Sequence, residues 1–141
     1  MTSKYNRRSF LQTAATAGGA MVFGFSRGAR AAEGDSITQT ARFRLNPEKA
    51  DEAVALLEEL CGAVEEHEPG VLAYICHRSA ADPSELLFFE VYENGEALMA
   101  HGQTEHLGKL RMAFGQGVFL PLSAETPLEI VRLNRVAGFS R

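Results

Sequence analysis

From Ile37 the chain alternates: Ile37, Gln39, Ala41, Phe43 and Leu45 fall on one side, Thr38, Thr40, Arg42 and Arg44 on the other. That period of two predicts a half-buried strand over 37–45. Asn46-Pro47-Glu48 then opens a helix. The Asn46 side chain can cap it, and Pro47 suits a first position whose N–H needs no partner. Ala50, Val54, Leu57, Cys61 and Val64 recur at helical spacing, Ala53 and Leu60 fill the stripe, and Glu58, Glu59, Glu65 and Glu66 mostly decorate the outer face. Proline disfavours helical geometry at the residue before it, so the helix must end by Glu68-Pro69-Gly70.

Val71 to His77 reads as a second strand and Leu86 to Tyr92 as a third, each apolar on both faces apart from Glu90, with a turn at Ala81-Asp82-Pro83-Ser84 between them. Asn94-Gly95 closes the third strand. A short helix carries Ala97, Leu98, Met99 and Ala100, and Gly102 interrupts it. A further helix puts Leu107, Leu110 and Phe114 on one face and ends at Gly115 and Gly117. Leu128 to Val136 is a last, mixed strand. The order predicts an α+β, ferredoxin-like βαββαβ domain, a four-stranded antiparallel sheet with helices on one face. The other sheet face carries apolar residues and needs a cover; a second copy in a two-fold dimer, sheet facing sheet, is the expected one.

The segment before this domain has a different grammar. Asn6-Arg7-Arg8-Ser9-Phe10-Leu11-Gln12 precedes a Gly-diluted apolar run from Leu11 to Phe25, then the small-residue site Ala29-Arg30-Ala31. A charged start, a short apolar middle and an A-x-A site make a signal peptide, and the arginine pair points to the twin-arginine route. The run is shorter than the ~20 residues a bilayer span needs. The expected division is a leader over 1–31 and a domain over 32–141, exported to the periplasm and not stably inserted in the membrane once cleaved.

Removing that leader changes the charge. It takes five of the fourteen Lys and Arg and none of the eighteen Asp and Glu, leaving nine basic against eighteen acidic residues. An acidic domain of this kind disfavours nucleic acid and anionic membrane surfaces as partners. Cys61 and Cys76 could form a disulfide in an oxidising compartment or pack as free thiols, and their spacing matches no zinc motif.

Glu68-Pro69-Gly70-Val71-Leu72-Ala73-Tyr74, then Glu90-Val91-Tyr92-Glu93-Asn94, then Ala97-Leu98-Met99-Ala100-His101 and Thr104-Glu105-His106 together resemble the antibiotic biosynthesis monooxygenase (ABM) family, over about residues 37–115. The resemblance implies a dimeric α+β barrel and admits cofactor-free oxidation of quinols and anthrones. The family's haem-degrading branch resembles an Asn, Trp and His triad with the Asn on the first strand. Here that strand offers Thr38, Thr40 and Arg42, and the chain has no Trp. Tyr92 stands where a Trp often follows the third-strand Glu.

Chemistry then narrows to a few residues. His101 and His106 bracket a glycine break and could act as general base on a phenolic substrate, since an ordinary histidine titrates near pH 6.5. Each could equally cap a helix end. Glu90 is the one charge in an apolar strand; it could orient a histidine or pair with Arg42, Arg44 or Arg132. Tyr74 and Tyr92 could hydrogen-bond a substrate hydroxyl, and Phe43, Phe88, Phe89, Met112, Phe114 and Phe119 could line an aromatic pocket or fill the core. His101, Glu105 and His106 lack the i, i+4 pairing of a helical zinc motif, so no metal site is expected. The expected function is cofactor-independent oxidation of a quinol or polyphenolic aromatic by dioxygen. The alternative is a non-catalytic periplasmic dimer that binds a small ligand or a partner.

Overall fold

A computed structural model describes residues 36–139, so the arginine-pair leader lies outside the described residues. The chain runs β1 (Ile37–Leu45), a 3-10 turn (Pro47–Lys49), α1 (Ala50–His67), β2 (Val71–Arg78), β3 (Glu85–Tyr92), α2 (Gly95–His101), α3 (Glu105–Gly115), β4 (Phe119–Leu120) and β5 (Glu129–Leu133). This is the expected ferredoxin-like α+β architecture, with five strands in place of four. The extra one is the two-residue β4.

The sheet is antiparallel in the order β2-β3-β1, and both β4 and β5 pair with the far edge of β1. Leu45 faces Phe119 while Ala41 faces Ile130, so the two short strands share that edge end to end. The alternation in β1 sets the register. Gln39, Ala41, Phe43 and Leu45 are buried beneath the helices, and Thr38, Thr40, Arg42 and Arg44 are half-buried on the opposite face.

Asn46 caps as expected, its side chain accepting from the Glu48 N–H, but Pro47–Lys49 is a tighter turn and α1 proper starts at Ala50. The buried stripe of α1 is Ala53, Leu57, Leu60 and Val64; Val54 and Cys61 flank it rather than centre it. These residues pack on Phe43, Phe88 and Phe119. Phe43 is 1% exposed and has the rings of Phe114 and Phe119 at 5.1 and 5.2 Å. Burying a ring of that size stabilises the fold by about 1.5–3 kcal/mol. Met112, an expected lining residue, is instead 61% exposed because it faces away from this core. Phe89 lies on the opposite sheet face, in register with Thr40. Asn94 does more than close β3: its side chain accepts from the Ala97 N–H and starts α2. Among the described residues no helix is long and apolar enough to cross a membrane.

The Glu68-Pro69-Gly70 turn fixes where α2 sits. Val71 N–H donates to the Glu68 carbonyl at 2.9 Å, closing the turn, and Glu93 N–H donates to the Gly70 carbonyl at 2.8 Å. A Cβ on Gly70 would stand 2.7 Å from the Ala97 Cβ, closer than two carbons can approach. Gly70→Ala is therefore expected to lower the unfolding free energy by about 1–3 kcal/mol, as overpacking does. The midpoint of urea unfolding checks it, and an unchanged midpoint would mean that α2 can draw away at no cost.

Candidate functional site

Pro69 holds Glu68 out of helical geometry, at φ −122° and ψ 75°, so its side chain leaves the track of α1. The Glu68 carboxylate, only 9% exposed, meets two imidazoles. His101 Nδ1 lies 2.9 Å from Oε2 and 3.1 Å from Oε1; His106 Nε2 lies 2.5 Å from Oε1. His101 is the last residue of α2, and His106 the second of α3. The link between them is short because Thr104 caps α3, accepting from Leu107 N–H, while its hydroxyl donates to the His101 carbonyl at 2.9 Å.

Beyond His101 a cavity of about 220 Å³ opens between the helices and the sheet. Its lining gathers seven of the eleven residues singled out from sequence: Phe43, Tyr74, Phe88, Glu90, Tyr92, His101 and Phe114. Leu128 and Ile130 wall it on the β5 side. Phe89, Met112 and Phe119 lie outside it, and so does His106, which borders a surface hollow of about 180 Å³ with Glu59 and Lys109 and meets the lining only through the Glu68 it shares with His101. Tyr74 and Tyr92 rings stand 5.1 and 5.4 Å from the His101 ring. With Nδ1 on Glu68, the second nitrogen of His101 is without a partner. Among the described residues no buried side-chain nitrogen or oxygen is unpartnered, so Nε2 opens onto accessible space. A ring held at Nδ1 and free at Nε2 is the arrangement of an oriented base.

Glu90, 5% exposed, is held by neutral donors. Gln39 Nε2 donates to its Oε2 at 2.5 Å and the Tyr92 hydroxyl at 2.9 Å. The expected arginine is not there, because β1 alternation turns Arg42 and Arg44 to the other face. Arg42 binds Glu85 at 2.6 Å and Glu129 at 2.8 Å, and Arg44 binds Asp82 at 2.5 Å. Burial first, then the Glu90 charge, pushes the phenols of Tyr74 and Tyr92 up. Both therefore keep their protons and serve as hydroxyls, not as bases.

Tyr74 also borders a groove of about 370 Å³ between α1 and β2, where Cys61 and Cys76 stand as free thiols. Burial pushes the Cys61 thiol up, and Cys76 up to about 12. Thiols held protonated in this way are poor nucleophiles. Glu68, His101 and His106 are bonded to one another, and among the described residues no group of three or more His, Cys, Asp or Glu side chains is arranged to hold a metal ion. His67, the last residue of α1, is exposed beside Glu66, and His77 is exposed near the end of β2.

Glu68 is the residue that sequence reasoning passed over, taking it only as a helix end. A carboxylate before Pro-Gly, with two histidines five residues apart further on, is the signal that could have found it.

The family described as "Antibiotic biosynthesis monooxygenase" matches residues 36–111. Among solved structures, a protein from Caulobacter crescentus assigned by name to the antibiotic biosynthesis monooxygenases aligns at 27% identity and a TM-score of 0.63, covering 73% of this chain and 92% of its own. Rv0793 from Mycobacterium tuberculosis aligns at 25% identity and 0.60, covering 74% and 99%. A protein from Bacteroides thetaiotaomicron, also assigned by name to these monooxygenases, aligns at 21% and 0.64, covering 76% and 95%, a likeness of fold alone. No protein of curated function matches the chain.

Removing the Tyr92 hydroxyl leaves the buried Glu90 carboxylate one donor short without disturbing the ring. Tyr92→Phe is expected to destabilise the fold by about 1–3 kcal/mol. Thermal or urea unfolding measures it, and a neutral result would show that Gln39 alone satisfies Glu90.

Proposed function

The chain belongs to the antibiotic biosynthesis monooxygenase family, and from that premise we propose that it oxidises a quinol or related hydroxylated aromatic with dioxygen, with no bound cofactor. The observation that carries this reading is the free Nε2 of His101 at an aromatic-walled cavity, its other nitrogen held by Glu68. Phe43, Phe88 and Phe114 suit a planar ring, and the hydroxyl of Tyr74 suits one of its oxygen atoms, while that of Tyr92 is given to Glu90.

The chemistry asks little of the protein beyond that. His101 Nε2 takes the phenolic proton, and the electron-rich phenolate passes one electron to dioxygen. The two radicals join at a ring carbon that bears hydrogen, and the imidazolium returns its proton to the new peroxide. Loss of water then breaks the C–H and O–O bonds and leaves a carbonyl. One oxygen atom stays in the quinone-type product and the other leaves as water. The protein's tasks are to bind, to move that proton and to keep bulk water out.

The expected setting is the periplasm, on the strength of the arginine-pair leader, and the expected state is a homodimer. Ile75 is 48% exposed on the sheet face away from the helices, which also carries the half-buried Leu87, Phe89 and Val91. A second copy laid sheet to sheet would cover that face.

Oxygen uptake by the metal-stripped protein, tested against a panel of quinols and hydroxylated polycyclic aromatics, checks the activity. Turnover is expected, with a loss of tenfold or more in His101→Ala, since a general base contributes about 10²–10⁴. Tight ligand binding with no uptake across the panel would favour a non-catalytic binding module instead. Light scattering is expected to give twice the chain mass, and a glutamate at Phe89 (Phe89→Glu) is expected to give one. A wild-type monomer would remove the sheet-to-sheet dimer.

A further inference from the structure

An open nitrogen explains what His101 can do, but not why a buried carboxylate is shared between two imidazoles. We propose that Glu68 is the positioning residue for His101, and that His106, at the surface end of the cluster, governs how much of the Glu68 charge His101 can use. The inference rests on the reading of His101 as the base.

A neutral imidazole has one N–H and one lone pair, and an ionised carboxylate only accepts. Placed 2.9 Å from Nδ1, Glu68 draws the N–H to that side and leaves the lone pair on Nε2 of a residue that lines the cavity. When Nε2 takes a proton, the positive charge forms beside a carboxylate and the pair is neutral. Without Glu68 the same step would leave a lone imidazolium with its side chain only 6% exposed, among Tyr74, Tyr92 and the phenylalanines. That is costly in a medium that solvates charge poorly.

The other carboxylate oxygen is claimed by His106 Nε2 at 2.5 Å. A neutral His106 shares Glu68 as a hydrogen-bond donor. A protonated His106 neutralises it, and His101 then has no counter-charge to form against. His106 is the more exposed imidazole, at 15% against 6%, and it borders the surface hollow, so it is the one nearer bulk water. Other ionisable groups stand nearby. Glu90, Tyr74 and Tyr92 share the cavity with His101; Lys109 and Glu59 flank His106 but are paired to each other at 2.7 Å; Glu105 precedes His106 in α3. Among the described residues Glu68 alone bonds to both rings.

The two partners of His101 should therefore shift its behaviour in opposite senses. Removing the charge in Glu68→Gln is expected to lower kcat tenfold or more and move the acid limb of the kcat/KM profile to lower pH, because His101 loses what favours its charged form. Removing the competitor in His106→Gln is expected to move that limb to higher pH. A residue that merely braced the fold would not split the limbs this way.

A second measurement needs no substrate: nitrogen-15 spectra of histidine-labelled full chain, with the His101 signal identified by its loss in His101→Ala. The Nδ1–H form is expected in the resting protein. An Nε2–H form, or limbs that stay put or move together, overturns the proposal. If Glu68→Gln does not fold, the spectrum and the His106→Gln limb decide it. Absent turnover with the Nδ1–H form intact would count against the oxygenase reading and for the positioning.

Discussion

A carboxylate hidden from water has to be matched, and the matching of Glu68 by two imidazoles organises the end of this domain where α1, α2 and α3 meet. The three groups come from the end of α1, the end of α2 and the start of α3. Each is placed by a local device. Pro69 bends Glu68 out of the helix, Asn94 fixes the start of α2 and hence the position of its last residue, and the Thr104 cap sets the first turn of α3. Gly70 lets α2 lie close enough for the three to meet. The E-P-G turn thus couples packing to chemistry in three consecutive residues: a charge, a bend and a gap.

Around that cluster the site separates charge from grease. The phenylalanines make the cavity a poor solvent for ions, while Glu90 lines it and Glu68 is bonded to His101 outside the lining. Glu90 is satisfied by an amide and a phenol rather than a cation. Arg42 and Arg44 are spent across the sheet on Glu85, Glu129 and Asp82, and Arg132, opposite Gln39 in the β1–β5 register, forms no ion pair with Glu90.

Much of this was legible along the chain because the patterns were strong. The period-two run in β1 and the proline stop each have one physical reading and stand where expected; the Asn46 cap is there too, but it opens a 3-10 turn that delays α1 to Ala50. The cavity residues Tyr74, Phe88 and Phe43 also stand where expected, their alternation putting them on one sheet face. What was illegible came from pairings between distant positions. β4 is two residues long and has no period to detect; it exists because β1 has a free edge beside it. The partner of Glu90 could not be read because Gln39, as an amide among apolar residues, announces no charge. Glu68 was hidden for a related reason. Its role lies in two side chains more than thirty residues away, and no local rule reports where a carboxylate points once the helix has ended.

The outer wall of the cavity is made by an element held along one side. β5 pairs with β1 along one edge only, and Arg42 adds a single tie from the sheet to Glu129. Ile130 and Leu128 line the cavity yet remain 54% and 43% exposed. Local opening costs least where buried contacts are few. A molecule leaving the cavity thus has its softest boundary here rather than between the helices, which Glu68 binds together. The rate of passage would then be set by how often a five-residue strand peels back, and the salt-sensitive Arg42–Glu129 contact, remote from any chemistry, would act as its hinge pin.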